Sequence, residues 1–161
     1  MRLRAATTDE IKEVWEDRWF GLVVCISTVY RPPDVEGLAL VDHHDEPVGL
    51  VTYHVEWPAG QIVTLDTIIR GRGFGRRLLE AVESMFHDRV LGRAWALMTN
   101  DNLRAAGLYL SRGYRLVKIH LDAVDCVREY KPKLPERGYE GIPIRDLWEF
   151  EKLGLLAVPV P

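Results

Sequence analysis

Ten residues, Ile68 to Arg77, read IIRGRGFGRR and restrict this chain more than any other stretch. Gly71, Gly73 and Gly75 alternate with Arg72 and Phe74, while Arg70, Arg76 and Arg77 flank them. An apolar run from Ile62 to Ile69, broken by Thr64, Asp66 and Thr67, leads in, and helical periodicity leads out. Strand, glycine turn and helix start, in that order, build a cradle for an anion. Glycine lets a ligand come close to the backbone, and the first amides of a helix have no partner of their own. A local excess of arginine in a chain of formal net charge −3 points to phosphate as that anion.

Two better-known phosphate loops are excluded. The dinucleotide pattern G-x-G-x-x-G needs glycine or alanine at position 76, where Arg76 stands. The nucleotide P-loop needs Gly-Lys-Ser/Thr to close its turn, and the chain has no such triplet. What remains, Arg70-Gly71-Arg72-Gly73-Phe74-Gly75, is R-x-x-G-x-G, and it resembles the pyrophosphate loop of the GNAT superfamily of acetyl-CoA dependent N-acetyltransferases. A second segment, Asn102 to Tyr114, resembles that superfamily's N-x-x-A-x-x-L-Y-x-x-x-G-F/Y motif through Asn102, Ala105, Leu108, Tyr109, Gly113 and Tyr114. Seven helical residues bring Tyr109 to within roughly 20° of Asn102, so both can face one ligand. Leu103, Ala106, Gly107 and Leu110 read as a separate stripe for packing on a sheet. The resemblance covers roughly residues 1 to 121 and becomes general beyond them.

The resemblance implies an α/β fold whose mixed, splayed central sheet is flanked by helices. It also implies one acetyltransferase domain over residues 1–161, and the residues themselves add a departure from its simplest form, an extra helix and loop excursion before the last strand. It implies acetyl-CoA as co-substrate, with main-chain groups at Leu65, Asp66 and Thr67 holding pantetheine and the Leu65 amide polarising the thioester carbonyl. The amides of Arg72 to Arg76 would hold the pyrophosphate, within a loop of Arg70, Gly71, Arg72, Gly73, Phe74, Gly75 and Arg76. Asn102 and Tyr109 would border the same ligand, and Tyr109 would supply the proton to the departing thiolate. The general base stays open. Histone-modifying members place a glutamate where Gln61 stands, and an amide cannot accept a proton. His54, Glu56, Asp66 and His120 are the alternatives. The implied reaction is direct acetyl transfer to an amine of a small molecule or peptide. A non-catalytic acyl-CoA sensor and a cradle for another phosphate ligand are the competing readings.

Size and composition agree with an ordinary globular domain: 161 residues, 47% apolar and 28% charged. No run reaches the ~20 apolar residues of a membrane span, and MRLRAATTDEIKEVW is not a secretion signal. Cys25 and Cys126 make neither a C-x-x-C pair nor a disulfide framework, so a reduced, cytoplasmic location is expected. The mildly acidic balance argues against a nucleic-acid binder. The pair His43-His44 sits in a polar turn, and no metal is expected. Five tryptophans and the end Val158-Pro-Val-Pro161 are compatible with a homodimer.

Along the chain, Arg2 to Ala6 reads as a strand. Thr7 and Glu10 have capping-box spacing before a helix with Ile11, Val14 and Trp15 inside. Leu22 to Tyr30 is strand or irregular arm. Gly37–Asp42 and Val48–Trp57 form a hairpin, Pro58-Ala59-Gly60 a turn, and Gln61 to Ile68 a long strand. Phe74, Leu78, Val82, Met85 and Phe86 recur at helical spacing. Ala94–Thr99 is a strand, Asn102–Arg112 a helix, Tyr114–His120 a strand and Leu121–Tyr130 an extra helix. Ile144–Leu153 closes the sheet. Trp57, His54, Trp148 and the Leu121–Pro143 excursion are candidate walls of an acceptor pocket.

Overall fold

The computed structural model describes residues 1–156, so the proline-rich end lies outside the described residues. Strand β1 (Arg2–Ala5) leads into α1 (Thr8–Arg18) through the capping box: Thr7 Oγ1 accepts from Glu10 N–H, and Glu10 accepts from Thr7 N–H. The ambiguous stretch that follows is an arm. Its two-residue strands β2 (Val23–Val24) and β3 (Val29–Tyr30) pair only with each other, outside the main sheet. Then come β4 (Glu36–Val41), β5 (Pro47–Glu56) and β6 (Ala59–Thr67). Strand β6 starts earlier than the turn residues suggested, because Trp57 and Pro58 alone make the turn and Gly60 pairs with Val55. Gly60 is a packing glycine, since a Cβ there would collide with the ring of Phe86.

The rest alternates: α2 (Phe74–Asp88), β7 (Arg93–Thr99), α3 (Leu103–Ser111), β8 (Arg115–His120), α4 (Val124–Tyr130) and β9 (Leu147–Leu153). The seven-stranded sheet has the order β1-β4-β5-β6-β7-β9-β8, and β9 therefore inserts between β7 and β8. Among the described residues only β6 and β7 run parallel, and every other pairing in the sheet is antiparallel. Helices α2 and α3 cover one face, where Leu78, Leu79, Val82 and Phe86 pack on Ile62, Ala96 and Phe150. Helix α1 and the arm cover the other through Ile11, Trp15, Val23 and Tyr30, with α4 adding Val124 and Val127. The inner face of α3 differs from the stripe read from sequence. Ala106 and Tyr109 are buried with Leu108 beside them, while Leu103 and Leu110 are exposed. The side of this short helix that packs, through Tyr109, against Tyr114 and Phe150 is the buried one, not its most apolar line.

One feature of this sheet makes a site. Strands β6 and β7 pair from Ala59–Arg93 to Ile62–Ala96 and then separate. Ile62 faces Tyr53 and Thr64 faces Thr52, so Val63 is an extra residue with no opposite number on β5. Such a bulge bends and twists its strand. It falls where pairing to β7 ends, and beyond it the strands diverge.

Candidate active site

The gap between β6 and β7 exposes main chain. Ile68 N–H donates to Val48 O (2.9 Å), and antiparallel alternation then directs the polar groups of Asp66, paired with Leu50, toward β5 as well. Leu65 and Thr67 consequently turn their N–H and C=O groups into the gap. Thr67 O accepts from Arg18 Nη1 (3.1 Å). Asp66, expected beside them, contributes neither main chain nor carboxylate to the gap. Its carboxylate accepts from Trp19 Nε1 (3.0 Å) under α1, where burial raises its pKa, and it borders neither of the cavities described below, so its position removes it as the base.

At the end of β6 the chain enters the glycine turn. Gly71 and Gly73 have φ of 74° and 73°, a left-handed backbone that side chains strain, and both look into open space. Gly73 caps α2 with no side-chain hydrogen bond. The first helical bond runs from Arg77 N–H to Gly73 O (3.0 Å). Among the described residues the amides from Arg70 to Arg76 have no backbone partner, which leaves a row of donors at a helix N-terminus. Gly75 serves a different purpose: a Cβ there would stand 3.3 Å from Leu108 Cδ2, so its bareness lets α3 approach α2. Phe74 packs against the main core. Arg70 and Arg72 are exposed with no ion pair among the described residues. Arg76 already pairs with Glu80 (3.0 Å) and Arg77 bonds Met1 O (3.1 Å), so at position 76 the amide, not the guanidinium, is free.

Helix α3 supplies the opposite wall. Asn102 Oδ1 accepts from Ala105 N–H (3.2 Å), and Asn102, Tyr109 and Leu65 border one cavity of about 210 Å³. Tyr109 is 3% exposed, its ring edge-on to Tyr114 at 4.9 Å. Burial, reinforced by the Glu83 and Asp66 carboxylates, pushes its pKa well above the usual phenol range. The phenol therefore keeps its proton at neutral pH and acts as a hydrogen-bond donor.

A second cavity, about 530 Å³, shares Cys25, Gln61 and Leu97 with the first. It gathers His54 and Glu56 from β5 and His120 from β8, together with Trp57 and Glu149. Glu149 links His120 Nε2 (3.1 Å) to Arg93 Nη2 (3.1 Å). Gln61 stands on the shared wall, 3% exposed, accepting from Tyr30 OH (2.9 Å) and donating to Cys25 Sγ (3.3 Å). An amide suits that place because it must accept from one neighbour and donate to the other. Trp148 borders neither cavity and packs against the main core instead. The excursion after β8 does wall the inner cavity, through Val127, Lys131 and Leu134. His43 and His44 are exposed in the β4–β5 turn.

A model of the acetyltransferase (GNAT) family matches residues 2–114, a span that holds both the cradle and the α3 segment. The chain belongs to the GNAT family. It is 33% identical over 139 residues to the uncharacterized protein YxbD of Bacillus subtilis (strain 168), covering 86% of this chain and 87% of that one. Among solved structures it is similar to the IAA acetyltransferase from Bacillus cereus ATCC 14579, with a TM-score of 0.74, 13% identity, and 94% and 98% of the two chains covered. It is also similar to a Bacillus subtilis acetyltransferase in complex with CoA, with a TM-score of 0.69, 17% identity, and 94% and 99% covered. At such identities these two likenesses concern the fold.

Within this GNAT fold, the two motifs visible in sequence come together where Leu108 lies against Gly75, and Asn102 and Tyr109 share a cavity with Leu65 of β6. Sequence reasoning missed Tyr30, Cys25, Glu149 and Lys131, whose site positions depend on how the arm, α4 and β9 dock. Glu149 alone had a signal, as a carboxylate on the closing strand. The other three lie in segments with no motif at all.

Proposed function

We propose that this chain transfers an acetyl group from acetyl-CoA directly to an amine of a small molecule or peptide. The observation that carries this reading is continuity. Unpartnered helix amides and the free Arg70 and Arg72 lead to the open β6 edge, past Tyr109, and into a second cavity that holds ionisable groups. The donor set fits an acyl-CoA: a bare turn for pyrophosphate, strand-edge amides for pantetheine, and a phenol at the sulfur end. The Leu65 amide is oriented before any ligand arrives, and such a donor contributes about 3 kcal/mol to acyl transfer. Tyr109 donates a hydrogen bond to the departing sulfur. Its high pKa favours stabilising the thiolate over surrendering the proton outright.

An ammonium must lose its proton before attack. His54 and His120, which border the larger cavity joined to the inner one across Gln61, are our candidates to receive it, whereas Gln61 is committed at both ends to the arm. Cys25 lies between the cavities, but burial raises its pKa and holds it as a thiol. That supports one-step transfer over an acyl-cysteine route. Calorimetry with acetyl-CoA against adenine nucleotides, followed by thiol release with an amine panel, tests the reading. Acetyl-CoA binding and acceptor-dependent thiol release are expected. Binding without release across the panel would favour an acyl-CoA sensor, and no binding would remove the reading altogether.

A further inference from the structure

Lys131 is a buried cation without an anion. The residue is 6% exposed, and among the described residues its ammonium has neither an ion pair nor a hydrogen-bond acceptor. Its main chain is held on both sides, with the N–H donating to Val127 O (2.9 Å) at the close of α4 and the C=O accepting from Leu134 N–H (3.0 Å). Nζ lies 5.7 Å from the centre of the Trp19 ring, a favourable but weak neighbour for a charge. The side chain borders the inner cavity together with Leu65, Gln61 and Tyr109. No aspartate or glutamate lines that cavity, and its other cation is Arg18, which already serves Thr67 O and lies 3.8 Å from Asp66. Burial lowers the Lys131 ammonium to about 8, so it stays largely charged at neutral pH. An unpaired buried charge is costly, and a cleft that keeps one favours a ligand that brings the opposite charge.

We propose that Lys131 receives the carboxylate of the acceptor, which makes the acceptor a small amino acid. This rests on the acetyl-transfer reading of the same cleft. The reacting amine must reach the thioester between Leu65 N–H and Tyr109, in a space of about 210 Å³. Lys131, Leu65 and Tyr109 line that same cavity, so one molecule carrying both an amine and a carboxylate, an amino acid, can meet all three. The side chain of the acceptor extends into the larger cavity, toward His54, Glu56 and Trp57. The pyrophosphate cradle, Arg70 to Arg76, is not part of the lining of the cavity that Lys131 borders, so it supplies no anion there.

The test is thiol release from acetyl-CoA with matched triplets: an amino acid, its carboxamide and its decarboxylated amine, with several side chains. The wild-type protein should prefer the acid over both partners roughly 10- to 100-fold in kcat/KM, the range for one charged hydrogen bond. In Lys131→Met that preference should collapse toward unity, and Lys131→Arg should restore part of it. Equal use of acid, amide and amine by the wild type would overturn the proposal while leaving acetyl transfer standing. So would an equal fall for all three in Lys131→Met, which would mark a general or structural role. Acetyl-CoA binding with no release from any triplet would instead overturn the transfer reading itself. The wild-type series decides the matter even if a variant fails to fold.

Discussion

The two faces of the sheet are packed by different means. Under α2 and α3 the core is apolar and continuous, and the groups placed for the ligand are main-chain amides on β6 and at the start of α2. Under α1, the arm and α4 the apolar clusters are smaller, and buried polar side chains run between them: Gln61 with Tyr30 and Cys25, Asp66 with Trp19, and Lys131 alone. The first face can hold a ligand whatever its neighbouring side chains are, provided the turn is bare. The second can recognise a ligand only through the particular side chains that docking brings together. Under the proposed function, donor binding would draw mainly on the first face and acceptor choice on the second.

Phe86→Ala should break the first face most severely. Phe86 is fully buried, edge-on to Tyr53 and pressed on Gly60, so about 3–5 kcal/mol of stability should be lost in denaturant unfolding. Tyr109→Phe keeps the shape and removes only the hydroxyl. Turnover should fall about 100-fold with the acetyl-CoA dissociation constant little changed; unaltered turnover would take Tyr109 out of the chemistry. Replacing both Arg70 and Arg72 by alanine should weaken acetyl-CoA about 30-fold, with the loss shrinking as salt rises and Tm unmoved.

The smallest effect belongs to the second face. Lys131→Met should stabilise the free protein by about 1 kcal/mol, because a buried unpaired charge is replaced by an apolar chain. The sign with pH follows from the folded pKa of about 8 lying below the ordinary lysine value of 10.5. Below about 8 the wild type carries the full burial cost; as pH rises toward 10.5 both folded and unfolded lysines become neutral and the cost disappears. The groups that face Lys131 are Cys25 and Trp19 from the arm side, with Arg18 and Asp66 beyond, and none of them neutralises it. The advantage of Lys131→Met should therefore be largest below pH 8 and fade above it in thermal unfolding scans. A constant advantage across that window would show that Lys131 is not a charged buried group.

Much of the first face is legible along the chain. The α2 periodicity and the spacing of Gly71 and Gly73 act between residues a few positions apart, as does the capping box of α1 on the second face, so local pattern reports them. Gly60 and Gly75 show the limit. Both look like turn or loop glycines, yet each is bare because a side chain from a distant helix, Phe86 or Leu108, lies against it. The stripe assigned to α3 missed for the same reason: which side of a short helix is inside depends on its neighbour.

Local order along the chain thus set the anion cradle, the helix that follows it and the pairing of Asn102 with Tyr109, since each needs only a backbone conformation or a helical repeat. Only the tertiary structure decided that β6 parts from β7 at the Val63 bulge, that Asp66 turns away and that Gln61 ties the arm. It alone placed Lys131, far along the chain, in the same cavity as Leu65. Side-chain chemistry between remote segments has no period or spacing to read, because it exists only once packing has brought them together.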